Sequence, residues 1–215
     1  MILDIHPLLS ILYSVLIING FYNLSKFISK TKYLIFLENY AVSGRLISFF
    51  LIINFFSIIL YIFFLLFGIN EIYLKILIIL LILIGFYRPD NIQKLFKKYI
   101  LIDNKSKLLL FIIILGYALI SLLPITDPDS LDYHLTFPYL SLINKSFFIQ
   151  NEWFTSQLTG AGEALIIFGL SINAYKLSSI LQFVALLSII IAILNLKHEK
   201  HYLNLNSKIL ICLAI

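Results

Sequence analysis

Between Asp127 and His134 the chain reads Asp-Pro-Asp-Ser-Leu-Asp-Tyr-His, three carboxylates and an imidazole within eight residues, its densest polar cluster. Pro128 favours an extended Asp127, and it can also open a helix at its first position with Asp127 as N-cap. A helix starting here puts Asp129 and Asp132 at i, i+3 on one face, with Tyr133 one turn after Asp129. A carboxylate that loses part of its water binds a proton more tightly, which moves it toward the range useful to a general base. Two or three carboxylates could instead hold a divalent cation against a phosphate. His134 could be a metal ligand, a donor to phosphate or a proton carrier. The same Asp-Pro-Asp-Ser string is also an ordinary helix start, so Asp127 by itself reads first as a cap. Farther on, Glu163 follows Gly160 and Gly162 and opens an apolar run. There it suits the positive end of a helix dipole, or it converges on the aspartates as a fourth acid.

The elements that must position these groups are membrane-type helices. Of 215 residues, 61% are hydrophobic and 13% charged, against about 25% charged in an ordinary soluble domain. A span needs about 20 mostly apolar residues, and five runs meet or approach that: 8–24, 46–68, 72–87, 108–124 and 177–196. The third carries Lys75 near one end, where its stem can snorkel. A sixth run, 209–215, stops with the chain, so the sequence reads as the N-terminal portion of a longer membrane protein. No basic n-region or small-residue cleavage site marks a signal peptide, and the one cysteine, Cys212, excludes an internal disulfide.

Orientation follows from the lysines and arginines. Segments 26–45, 88–107 and 197–208 hold 13 of the 16 basic residues, and all three fall on one side of the five runs, the cytoplasmic side by the positive-inside rule. The net charge of +5 is therefore an orientation signal, and nucleic acid is not an expected partner. The N-terminus, the 69–71 turn and a long loop from about 125 to 176 fall outside. Stretch 88–107, with apolar residues among its lysines, has the pattern of an amphipathic helix on the inner leaflet, and 139–149 that of one on the outer interface. Trp153 reads as an interfacial anchor. The run 163–172 is too short to span and reads as a surface or re-entrant helix. The expected fold is all-α, a polytopic helical membrane protein with amphipathic interface helices in one long extracytoplasmic loop. It divides into a three-span region, 1–107, and a second region, 108–215, that holds the acidic loop.

A span that exits into a long external loop, with Asp127-Pro-Asp129-Ser-Leu-Asp132-Tyr133-His134 just past the boundary and interface helices up to Glu163, resembles the GT-C superfamily. These are polytopic glycosyltransferases that use polyprenyl-phosphate-linked sugars. The resemblance covers about residues 108–196. It implies a sugar transfer from a polyprenyl-phosphate donor to an extracytoplasmic glycan or lipid acceptor, in a bacterial inner (plasma) membrane. It also implies that Asp129 or Asp132 is the base toward the acceptor hydroxyl or helps to hold a metal. His134 joins them as a catalytic candidate, and Asp127, Tyr133, Lys145 and Glu163 as substrate contacts. The departing phosphate needs positive charge nearby, for which the loop offers only Lys145 and Lys176. The sequence departs from that family in placing this loop after the fourth span rather than the first.

Other function classes leave different marks. A transporter places ionisable residues inside its spans, whereas these hold little beyond Lys75, Asn54, serines and tyrosines. O-antigen polymerases and ligases lean on arginines in their external loops, and this loop has none. A non-catalytic membrane scaffold or transporter subunit is the alternative.

Overall fold

The computed structural model describes residues 6–29, 41–87, 104–123, 134–147 and 160–195. Among them the chain is helix and turn without a strand, in seven helices: α1 (Pro7–Ser29), α2 (Ala41–Phe67), α3 (Glu71–Phe86), α4 (Asn104–Leu122), α5 (Phe137–Asn144), α6 (Ala161–Leu170) and α7 (Leu177–Asn195). Each of the five apolar runs is a helix. The helices α1 and α2 reach beyond their runs, to Ser29 and back to Ala41, because backbone hydrogen bonding carries on into polar flanks that an apolar pattern does not mark. Two helical stretches, Pro7–Ile28 and Leu46–Phe67, are long and apolar enough to cross a membrane. With 16 residues, α3 rises about 24 Å, short of a hydrocarbon core of about 30 Å.

A three-residue reversal joins α2 to α3. Gly68 ends α2 at φ +73°, in the left-handed region that glycine enters at no steric cost. Asn70 then caps α3, its side-chain oxygen accepting from the Ile72 and Tyr73 N–H groups at 3.0 and 3.4 Å. Lys75 pairs with Glu71 one turn back at 3.0 Å, both well exposed, a pair worth a few tenths of a kcal/mol, about 0.3–0.5.

Helices α1 and α3 run parallel and touch closely. Gly20 of α1 lies against Leu81, and Gly85 of α3 against Asn19 and Gly20. The absence of side chains at both glycines lets the backbones approach, as small residues do between membrane helices. The side-chain amides of Asn19 and Asn23 both donate to the Gly85 carbonyl, at 3.0 and 2.8 Å. That oxygen belongs to the last turn of α3 and has no partner four residues on within the helix. Since α3 reverses out of α2, α1 and α2 are antiparallel. A triangle of rings, Phe21, Phe56 and Phe168, ties α1, α2 and α6 together with centroids 5.0–6.5 Å apart, each edge-to-face pair adding about 0.5–1.5 kcal/mol. Buried serines on these helices return their hydroxyls to their own backbone, as Ser14 does to Ser10 (2.7 Å) and Ser57 to Ile53 (2.8 Å).

The second region pairs α4 with α7 in antiparallel fashion: Leu110 packs on Ile190 near one end, and Leu123 meets Lys176 at the other. The Lys176 N–H in turn donates to Ser10 Oγ at 3.1 Å, so α7 starts beside the start of α1. The five long helices therefore alternate in direction. Their outer faces are apolar and exposed, among them Phe67, Ile72, Phe111 and Ile120.

Two short helices differ from expectation. The outer interface stretch was expected over 139–149; its described part, to 147, is helical as α5, which ends when Lys145 turns left-handed at φ 55°. The Lys145 and Ser146 N–H groups then bond back to the Leu142 and Ser141 carbonyls, a Schellman-type stop. The run expected as a surface or re-entrant helix, α6, does not lie on the surface but is enclosed. Seven of its ten residues are buried, Glu163 among them, because α2, α5 and α7 close around it. Stretch 88–103, Trp153 and the sixth apolar run lie outside the described residues.

Candidate functional site

His134 stands in the turn that leads into α5, and α5 is pinned at both ends. Its buried residues Phe137 and Pro138 face inward at the start. Past its end, Phe147 sits among Tyr61, Phe64 and Phe137 with centroids 5.3–6.2 Å away. The Lys145 carbonyl accepts from the Ile69 N–H at 2.8 Å, which fastens α5 to the α2–α3 reversal. With that anchorage His134 is held over the first turn of α6.

Glu163 is the third residue of α6, where a glutamate side chain can reach back to the N-terminal amides. Its Oε2 accepts from the Gly160 N–H at 2.8 Å. Its other oxygen, Oε1, lies 3.3 Å from His134 Nδ1. The helix-start reading of Glu163 holds through one oxygen, while the other meets the imidazole; the aspartates it was expected to approach lie outside the described residues. The Glu163 side chain is 8% exposed, while the His134 side chain is half exposed. This is the arrangement in which a buried carboxylate fixes the orientation of a histidine that faces outward.

The pair opens on a cavity of about 220 Å³. Ser178 and Gln182 of α7 add polar groups, and Leu165, Ile166, Leu177 and Leu181 form an apolar wall. Ligand sites commonly combine such a wall with a few convergent polar groups. Among the described residues no three His, Cys, Asp or Glu side chains gather as a metal site.

The other sequence candidates fall in different places. Asp127, Asp129, Asp132 and Tyr133 lie outside the described residues, with His134 following Tyr133 directly. Lys145 is exposed, at the opposite end of α5 from His134, roughly 15 Å along the chain's helical rise, and it does not line the cavity. Lys176 is 2% exposed and its amine donates to the Leu123 carbonyl, with the Tyr175 ring 5.9 Å from it. Burial pushes the Lys176 amine below its ordinary value, since a desolvated ammonium loses its hydration. It is committed to closing the end of α4 and is not open to a phosphate. Gln182, Ser178 and the pairing of His134 with Glu163 were not singled out in the sequence. The capping distance from Gly160 to Glu163 was legible there, but nothing local marks a contact across 29 positions.

No curated protein and no solved structure matches this chain. Residues 84–208 match the family described as the DUF1420 N-terminal domain. That stretch takes in the end of α3, all of α4 to α7, and every residue of the cavity just described. It covers more than half of the sequence, and the chain belongs to the DUF1420 family through this N-terminal domain.

Proposed function

We propose that this protein is a multi-pass membrane glycosyltransferase that moves a sugar from a polyprenyl-phosphate carrier to an extracytoplasmic hydroxyl, the cavity beside His134 being part of its reaction site. The observation that carries the reading is the pairing of His134 with buried Glu163 at the mouth of a largely apolar cavity, immediately after Asp132 and Tyr133. The alternating direction of α1, α2, α3, α4 and α7 supports five spans. The basic segments then face the cytoplasm, and the site faces outward, in a bacterial inner (plasma) membrane.

In the transfer, the acceptor oxygen attacks the anomeric carbon as that carbon's bond to the phosphate oxygen breaks, and polyprenyl phosphate leaves with the electron pair. The acceptor proton goes to Asp129 or Asp132, with His134 next in line to carry it away and Glu163 positioning the imidazole. Lys145 stands too far along α5 to meet the leaving phosphate at this site. A divalent cation held by Asp127, Asp129 and Asp132 would supply positive charge there. The lipid tails stay in the bilayer while the reacting groups meet at its edge.

The test is Asp129→Asn and Asp132→Asn in the full-length protein, read as production of the glycan in a cell that depends on it. Loss of about 10²–10⁴-fold in transfer is expected from removing a positioned base. Unchanged glycan output with protein present in the membrane would instead leave a scaffold.

A further inference from the structure

The cavity beside His134 and Glu163 has a composition that discriminates between the two ends of the reaction. Among the described residues no lysine or arginine lines it, and Glu163 is the only carboxylate. A carboxylate offers about four lone-pair sites, and the Gly160 N–H and His134 occupy one on each oxygen. What remains accepts hydrogen bonds and repels anions. Facing it, Leu165, Ile166, Leu177 and Leu181 present hydrocarbon, while Ser178 and Gln182 add neutral polar atoms. The volume, about 220 Å³, holds the equivalent of about seven waters at roughly 30 Å³ each. That is room for one end of an amphipathic molecule.

We infer that this cavity receives the hydroxyl end of an amphipathic alcohol, the apolar stem lying on the leucine wall and the hydroxyl donating toward Glu163 and His134, and that it excludes the phosphate end of a lipid carrier. Phosphate would have to leave water for a site with a fixed like charge and, among the described residues, no lysine or arginine to offset it, a costly exchange. A neutral alcohol meets no such barrier and gains two complementary surfaces. The inference rests on the transferase reading only in calling that alcohol the acceptor; the choice of alcohol over phosphate stands on the lining alone.

The experiment uses the full chain in phosphatidylcholine nanodiscs at pH 8. Two photoactivatable probes are compared, a long-chain alcohol bearing a diazirine close to the hydroxyl and the phosphate monoester of the same alcohol. Peptides from α6 and the start of α7 are then mapped for covalent label. The alcohol is expected to label them about ten-fold more than the phosphate. In Glu163→Gln the anionic repulsion is gone, and that ratio should fall toward one. Leu181→Trp fills the cavity without touching the helix cap and should abolish labelling by the alcohol while the helical signal persists. Phosphate labelling equal to or above that of the alcohol in the unaltered chain overturns the inference. So does alcohol labelling that survives Leu181→Trp. Glycan output after Asp129→Asn is read separately, so the transferase reading and the alcohol site can fail independently.

Discussion

Gly20→Ala is expected to loosen the α1–α3 pair, and its cost can be worked from the distances. A Cβ at Gly20 would stand 2.4 Å from the Leu81 carbonyl oxygen, 2.6 Å from Leu81 Cγ and 2.9 Å from the Leu81 carbonyl carbon. Two of these atoms are backbone, which cannot swing aside as a side-chain tip would. Ordinary contact begins at 3.4 Å, so the helices must part by about 1 Å. The Asn19 and Asn23 bonds to Gly85, now 3.0 and 2.8 Å, would then exceed the length at which such bonds hold. Overpacking of this kind costs about 1–3 kcal/mol, and two interhelical hydrogen bonds add about 0.6 kcal/mol each. Against that, replacing a helical glycine by alanine gains about 0.5–1 kcal/mol. The net loss is about 2 kcal/mol. Gly116 of α4 is the internal control, because a Cβ there meets nothing within 4 Å, and Gly116→Ala should gain the helix-propensity term alone. The assay is unfolding by sodium dodecyl sulfate in mixed micelles, followed by far-ultraviolet circular dichroism. A Gly20→Ala protein as stable as Gly116→Ala would refute the close approach of α1 and α3.

Glu163→Gln should keep the fold and lose the chemistry. Its carbonyl can still accept from the Gly160 N–H, but its amide now donates to His134 Nδ1 and imposes the wrong tautomer, an exchange that elsewhere lowers turnover by about 10⁴. Glu163→Ala loses the helix-start bond as well, at about 0.5–2 kcal/mol. Melting of the two variants beside their transfer rates and pH–rate profiles separates positioning from stability, and a Gln variant of normal rate defeats the role given to Glu163. Lys176 carries a pH dependence of definite sign. Its proton affinity is lowered in the folded chain by loss of water, so its charge opposes folding at neutral pH. That penalty lifts as pH rises from the folded value toward the unfolded one of about 10.4. Melting temperatures of the chain and of Lys176→Met, measured from pH 7 to 10.5, should therefore converge with rising pH relative to their gap at pH 7. A constant gap would show that the amine is not desolvated.

Sequence reading reached the long helices and stopped short of their partners. Apolar runs of near-span length located α1 to α4 and α7, because a lipid-length helix writes its composition into the chain. For the short α6 the same logic left two placements, surface or re-entrant. A ten-residue apolar helix looks alike whether it lies on a surface or is enclosed, and only tertiary closure by its neighbours decides. The α1–α3 contact had a signal that was not used: Asn19, Gly20 and Asn23 share a helical neighbourhood in an otherwise apolar run, the pattern by which membrane helices mark a close partner. Which helix that partner would be, and that Gly85 supplies its carbonyl, needed three dimensions. Lys176 was offered as positive charge for the departing phosphate, but a basic residue next to an apolar run can equally turn inward to a helix-end carbonyl.

Those inward contacts bear on how the acidic segment can work at all. It leaves the described fold after Leu123 and re-enters it at His134, and both points are fastened to the same neighbouring unit. The Leu123 carbonyl is held by the Lys176 amine at the start of α7. His134 is held by Glu163 in α6, and α6 is closed onto α7 by the turn in which the Ala174 N–H meets the Gly169 carbonyl at 2.9 Å. The two ends of the segment are thus referred to one frame rather than to two independently moving helices. A base must sit within hydrogen-bond reach of the proton it takes, and misplacement by 1 Å costs heavily. For the base proposed above, anchoring both ends of the segment to the α6–α7 unit that lines the cavity would meet that requirement. In the proposed transferase Lys176, though not open to ligand, is then a positioning residue that acts on the acidic segment from the Leu123 end, as the Glu163 contact with His134 does from the other.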